Sequence, residues 1–346
     1  MRYLPIVFLA IVGCGAPEPG PASPPSAPSP GPGSSAEPEF PGVRNAHSMA
    51  YHGQRREVLV FGGADEGEVR GDTWAWNGST WSELARGGPP PRTFASMAYD
   101  AARRQILLFG GNRVLFGTGD ELDSFLGDTW VFEGDAWREI DVESAPAPRG
   151  EAAMVYDPVR QRVVLFGGYK ADGGRLQRFS DTWAWDGATW AEIGSEGPGA
   201  GNGASMAFQA DSNRLVLFGG TGAQGKTWAW DGGGWSAVGV DAPGRYNSAM
   251  AGNPLDGTVL RFGGWDGEKR GGKTWVLSGD LWKELDAAGP APRNHSALAF
   301  DGERGRAVLF GGHDGERVFG DLWEWDRGRW IDRGGTEPRR RLDNGH

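Results

Sequence analysis

The sequence predicts an all-β protein: six copies of a four-stranded antiparallel unit, stacked radially into a closed ring. Three observations carry that expectation. The tripeptide Phe-Gly-Gly occurs at 61–63, 109–111, 166–168, 218–220, 262–264 and 310–312, at intervals of 48, 57, 52, 44 and 48 residues. A Trp follows each copy, and a second Trp comes seven residues later. Between the two lies a turn such as Asn77-Gly78, Asp186-Gly187 or Asp231-Gly232, pairs that tolerate positive φ and so reverse a chain tightly.

Composition narrows the class further. Glycine supplies 59 of 346 residues, but without the period of three that a collagen needs. The single cysteine excludes a disulfide scaffold. The net charge of −10 argues against a nucleic-acid partner, which asks for a basic domain. Aromatic residues make up 11%, enough to bury a large core, so disorder throughout is excluded.

The first elements are not part of the repeat. Residues 1–14, MRYLPIVFLAIVGC, place Arg2 before an apolar run that is shorter than the roughly 20 residues of a membrane-spanning helix. This pattern fits an export signal. Its end, Ile11-Val12-Gly13-Cys14, resembles the lipobox of bacterial lipoproteins. That resemblance implies cleavage before Cys14, lipidation of its thiol and anchoring to the cell envelope. Gly15 follows where Asp signals inner-membrane retention in many such proteins, so the outer membrane is the expected address. Residues 15–41 hold 10 of the 23 prolines, among Ser, Ala and Gly. Such a stretch cannot pack a core and serves as an extended tether.

From 42 to 333 the repeat follows strand by strand. A first apolar run, SMAY at 48–51 or AMVYD at 153–157, is followed by a polar turn. A second run, such as Val58-Leu59-Val60 or Val163-Val164-Leu165, ends at the double glycine. A loop then leads to the third strand, which opens at Thr73-Trp74, Thr129-Trp130, Thr182-Trp183, Thr227-Trp228, Thr274-Trp275 and Leu322-Trp323. The fourth strand carries Trp81, Trp137, Trp190, Trp235, Trp282 and Trp330. One four-stranded sheet leaves both faces open, so the units must stack, and a closed ring protects their edges. These columns resemble the kelch repeat, although kelch third strands often carry Tyr where this chain has Trp. The resemblance implies a six-bladed kelch-type β-propeller. Residues 334–346 are expected to form a tail, and Glu337-Pro338-Arg339 echoes the repeat opening Ala147-Pro148-Arg149. That echo admits either a truncated seventh unit that latches the ring or a frayed end.

Candidate binding residues fall in two places. The loops after the double glycine vary most, and they carry Phe116, Tyr169, Trp265 and His313. Loop aromatics can stack on a sugar or anchor a protein. Asp120, Glu121 and Asp123 offer oxygen ligands for calcium, but without EF-hand spacing. The repeat openings form a column of Arg44, Arg92, Arg149, Gly201, Arg245 and Arg293. By resemblance to kelch propellers, this column lies near one mouth of the axial channel. An Asp precedes the third-strand Trp in four units, Asp72, Asp128, Asp181 and Asp321, and Arg accompanies it in each. Same-repeat ion pairing is therefore expected. Arg245, which faces Lys273 instead, is expected to be free for a ligand beside Tyr246, Asn247 and His295.

No metal spacing, phosphate loop or cofactor motif is present among the sequence patterns. The expectation is a non-catalytic binding module on the envelope, monomeric, with a protein or glycan ligand. The alternative is a carbohydrate-active enzyme of the kelch sialic-acid epimerase type, with Glu151 and His295 at an axial site.

Overall fold

The computed structural model describes residues 40–340, apart from 66–67, 86, 116–123, 173–174, 224, 240–241 and 244. The expected export signal with Cys14, and nearly all of the expected tether, lie outside the described residues. So do Phe116 and the acidic group at 120–123.

Each repeat folds into one antiparallel sheet whose four strands follow chain order from the axis outward. In blade 1 these are Ser48–His52, Glu57–Phe61, Thr73–Trp76 and Trp81–Ala85. Blades 2 to 6 repeat the plan from inner strands Ser96–Asp100, Ala153–Asp157, Ala204–Gln209, Ala249–Gly252 and Ala297–Asp301. Consecutive inner strands pack side by side, and the sixth packs on the first, which closes the propeller. Among the described residues, no strand is exchanged between blades.

Strand alternation explains the core. In the second strand, Val58 and Val60 face blade 6, whereas Leu59 and Phe61 face blade 2, and all four are at most 1% exposed. Each such side chain stabilises the fold by about 1.5–3 kcal/mol on burial. The Phe of each double-glycine motif packs against the fourth-strand Trp of the next blade, with ring centroids 5.1–5.4 Å apart. In five of the six joints that Trp also donates its Nε1–H to the Thr that opens the preceding blade's third strand, at 2.8–3.0 Å. At the sixth joint Leu322 stands where the Thr would be, and Trp81 shares an apolar cluster with it. A further link spans this joint: buried Glu324 of blade 6 holds Arg306 and Arg333 and accepts from Trp76 Nε1 of blade 1.

The double glycine has a steric cause. Gly62 and Gly63 both adopt positive φ, 65° and 87°. A Cβ on Gly62 would stand 2.6 Å from the Arg92 carbonyl of the next repeat. No side chain fits at that approach.

Three details differ from the sequence reading. Blades 1 and 3 extend their loops into small hairpins, Ala64–Asp65 with Glu68–Val69 and Tyr169–Asp172 with Arg175–Arg178. Blade 4 instead makes a helical turn, Gly220–Ala223, where no helix was expected. The outer strand of blade 6 runs from Arg329 to Arg340, and Arg339 pairs with Val318. Residues 334–340 therefore belong to blade 6, and Glu337-Pro338-Arg339 begins no seventh unit. The long third strand, Arg317–Asp326, supplies the backbone partners of this extension.

Candidate functional site

The arginine column is consumed by the scaffold. Arg44, Arg92, Arg149 and Arg293 are at most 1% exposed. Each grips its own repeat's Asp72, Asp128, Asp181 or Asp321 through two parallel N–H···O bonds of 2.5–3.0 Å. Each also donates to the carbonyl of the first motif glycine. The same aspartates accept from the third-strand Trp Nε1 at 2.7–2.8 Å. Burial pushes the Asp72, Asp128 and Asp181 carboxyls up. Their arginine and indole donors outweigh that and hold them below the usual carboxylate range. Phe179 and Phe319 cover the outer face of Arg149 and Arg293 at 3.8 and 3.9 Å, so these loop aromatics complete the clasp.

Two residues after each column position, the chain turns through positive φ: Ala46, Phe94, Glu151, Asn247 and His295 lie at 52–55° and Gly203 at 71°. Their backbones form a closed circuit. Ala46 N–H donates to His295, Phe94 to Ala46, Glu151 to Phe94, Gly203 to Glu151, Asn247 to Gly203 and His295 to Asn247. This circuit rings the axis, and its side chains surround a polar mouth of about 180 Å³.

Glu151 and His295 come from opposite blades and approach to 3.4 Å across this mouth. His295 Nδ1 lies 3.0 Å from His313 Nε2, and the two rings are nearly parallel. The other Glu151 oxygen accepts from Asn202 Nδ2 at 2.6 Å, and Asn202 accepts from Arg178 Nε at 3.0 Å. The result is a hydrogen-bonded row from His313 to Arg178 through His295, Glu151 and Asn202. Tyr169 stands beside it. Burial, and then the Glu151 charge, push its phenol well above the usual range. Phe125 of blade 2 meets the Tyr169 ring edge-on at 5.3 Å.

Of the residues singled out in the sequence, the structure gathers Asn247 and His295 at the mouth, with His313 bonded to His295 and Tyr169 within reach of the Glu151 charge. Trp265 and Tyr246 sit to one side in blade 5, joined by two backbone bonds of 2.9 Å. Arg270 covers the Trp265 ring at 4.6 Å and ties to Asn294 of blade 6. The expectation for Arg245 needs correction. Its guanidinium pairs with Asp266 at 3.1 Å and donates to the Lys269 carbonyl at 3.1 Å. Blade 5 has moved the carboxylate from before the third-strand Trp to just after Trp265, so the arginine swings to the loop. Asn202 and Arg178 reach Glu151 from the opening of the adjacent blade 4 and from the blade 3 loop hairpin, and the hairpin is what sequence reasoning missed.

The arrangement can hold a polar ligand by carboxylate, amide and imidazole groups, and the histidine row can relay a proton. Among the described residues, no group of three or more His, Cys, Asp or Glu side chains is placed to hold a metal ion. The family model described as the KLHDC2/KLHL20/DRC7 Kelch-repeats domain matches residues 34–220, more than half of the 346-residue chain. No curated protein matches the chain significantly.

Proposed function

The chain belongs to the kelch-repeat family, and from that premise we propose that it is a non-catalytic binding module, tethered to the cell envelope, that takes a protein or glycan ligand at its polar axial mouth. Kelch propellers commonly serve as protein-interaction modules. The lipobox-like Ile11-Val12-Gly13-Cys14 and the proline-rich stretch behind it support an anchored, exported protein. The observation that carries the binding reading is the division of labour at one face. The regular arginines are buried in clasps with scaffold aspartates, whereas the irregular positions Glu151, Asn247 and His295 line a shared polar opening. Regular positions build the scaffold, and variable positions around it carry recognition.

The test is a screen of the purified protein against glycan and envelope-protein arrays, repeated with His295→Ala and Asn247→Ala. At least a roughly tenfold loss of affinity, about 1.4 kcal/mol, is expected in each variant. Binding that neither substitution alters would refute the mouth as the site.

The row His313–His295–Glu151 favours one second reading, a carbohydrate-active site. Proton transfer needs donor and acceptor within hydrogen-bond reach, and this row meets that requirement. Turnover of a sialic acid that Glu151→Gln abolishes would establish it. Binding without turnover supports the module.

A further inference from the structure

The other end of the axis holds a second cavity, of about 440 Å³, on the side of the inner-strand turns. Its walls repeat in rings. One ring is Met49, Met97, Met154, Met206, Met250 and Leu298. Nearer the turns comes a ring of Tyr51, Tyr99, Tyr156, Phe208 and Phe300. Blade 5 breaks this ring with Gly252, because a Cβ there would stand 2.0 Å from the Phe208 carbonyl. No ionisable side chain other than tyrosine lines the cavity. The Glu151–His295 contact crosses the axis at the opposite end, so the cavity opens toward the turns.

We propose that this cavity is a binding site for a small, uncharged aromatic molecule. Its volume lies within the about 300–1,000 Å³ of small-molecule sites. A charged ligand would lose its hydration and meet no counter-charge, which the lining residues exclude. Thioethers favour aromatic rings at close range and adapt to their shape, and five of the chain's six methionines line this one cavity. The inner strands have a sheet partner on one side only, so their free edges face the axis and supply the few polar groups that orient a ligand. A cavity of this size admits a small molecule or a single side chain, never a folded surface. The proposal is independent of the polar mouth.

The probe is N-phenyl-1-naphthylamine, titrated into the purified protein. A saturable one-to-one rise in fluorescence is expected, together with protection of Met97, Met154, Met206 and Met250 from peroxide oxidation, read peptide by peptide by mass spectrometry. Val155→Trp, which places an indole from a half-buried position into the cavity, is expected to weaken the probe roughly tenfold or more. Leu281→Ser removes an exposed leucine on the outer strand of blade 5 and is expected to leave it unchanged. If Val155→Trp fails to fold, the oxidation footprint of the unmodified protein decides. Binding that leaves the methionines equally oxidised overturns the proposal, as does a failure to saturate. Displacement of the probe by an aromatic-bearing peptide but not by free aromatic compounds also overturns it, in favour of a protein ligand.

Discussion

Glu151 and His295 lie 144 positions apart and meet at 3.4 Å across the propeller axis. The contact joins opposite blades, so its charge acts on both halves of the mouth. Glu151→Gln keeps the shape and removes the charge. Tyr169, held up by burial and by Glu151, should then titrate at lower pH than in the unmodified protein. NMR or ultraviolet titration of the phenol reads this directly. The weakened bond to Asn202 should cost about 1 kcal/mol of stability in urea.

The arginine clasps predict where acid attacks the fold. Arg149→Met leaves Asp181 without its bidentate partner and should cost about 3–5 kcal/mol in urea unfolding. The Asp181 carboxyl has a lowered value in the folded state. It therefore contributes stability above its unfolded value of about 3.9, and that contribution fades as pH falls through the folded value. Asp181→Asn should be less stable at neutral pH and show a shallower loss below about pH 4. Equal acid profiles for the two proteins would contradict the clasp.

Arg261 predicts a gain. It is 1% exposed, occupies the position held by Leu217 and Leu309 in neighbouring blades, and none of its guanidinium nitrogens has a hydrogen-bond partner among the described residues. It lies over Phe218 at 4.1 Å, and burial with nearby Arg245 lowers its value to about 9. Replacing a buried charge by an apolar side chain of similar size stabilises by about 1–4 kcal/mol. Arg261→Leu should raise the thermal midpoint.

His47 predicts a different pH window. Burial first, and then the Arg44 charge, lower its value to about 3, and its ring packs edge-on against Phe310 at 5.3 Å. The folded state keeps the imidazole neutral while the unfolded chain protonates near pH 6.5. Stability should thus fall between about pH 6.5 and 3, with a slope of up to about 1.4 kcal/mol per pH unit from this group. His47→Phe should flatten that slope in calorimetry.

What the sequence exposed was whatever repeats. The Phe-Gly-Gly columns, the two Trp columns and the pairing of Arg with Asp inside one repeat all show as regular spacings, and the blades follow from them. What stayed hidden depends on closure or on a break in the pattern. Glu151 and His295 occupy the same column, but only the number of blades decides that theirs stand opposite. Asp266 serves Arg245 from a loop, and a search of the Asp column cannot find it. The strand to Arg340 exists because Arg317–Asp326 is long enough to pair with it, a property of the partner and not of the tail.

The backbone circuit through Ala46, Phe94, Glu151, Gly203, Asn247 and His295 has no first or last member. A linear repeat array frays from its ends, one unit at a time. A circuit that returns to its start resists that route, because losing any one unit severs two links and leaves the other five unable to meet. Ala46 is the keystone: it precedes every strand, yet it joins blade 6 to blade 2. Trimming the chain through residue 47 would therefore remove no strand of the sheets and still open the whole arch. Blade number is set in the same way, since a ring of five or seven units would have to redraw every turn of the circuit at once.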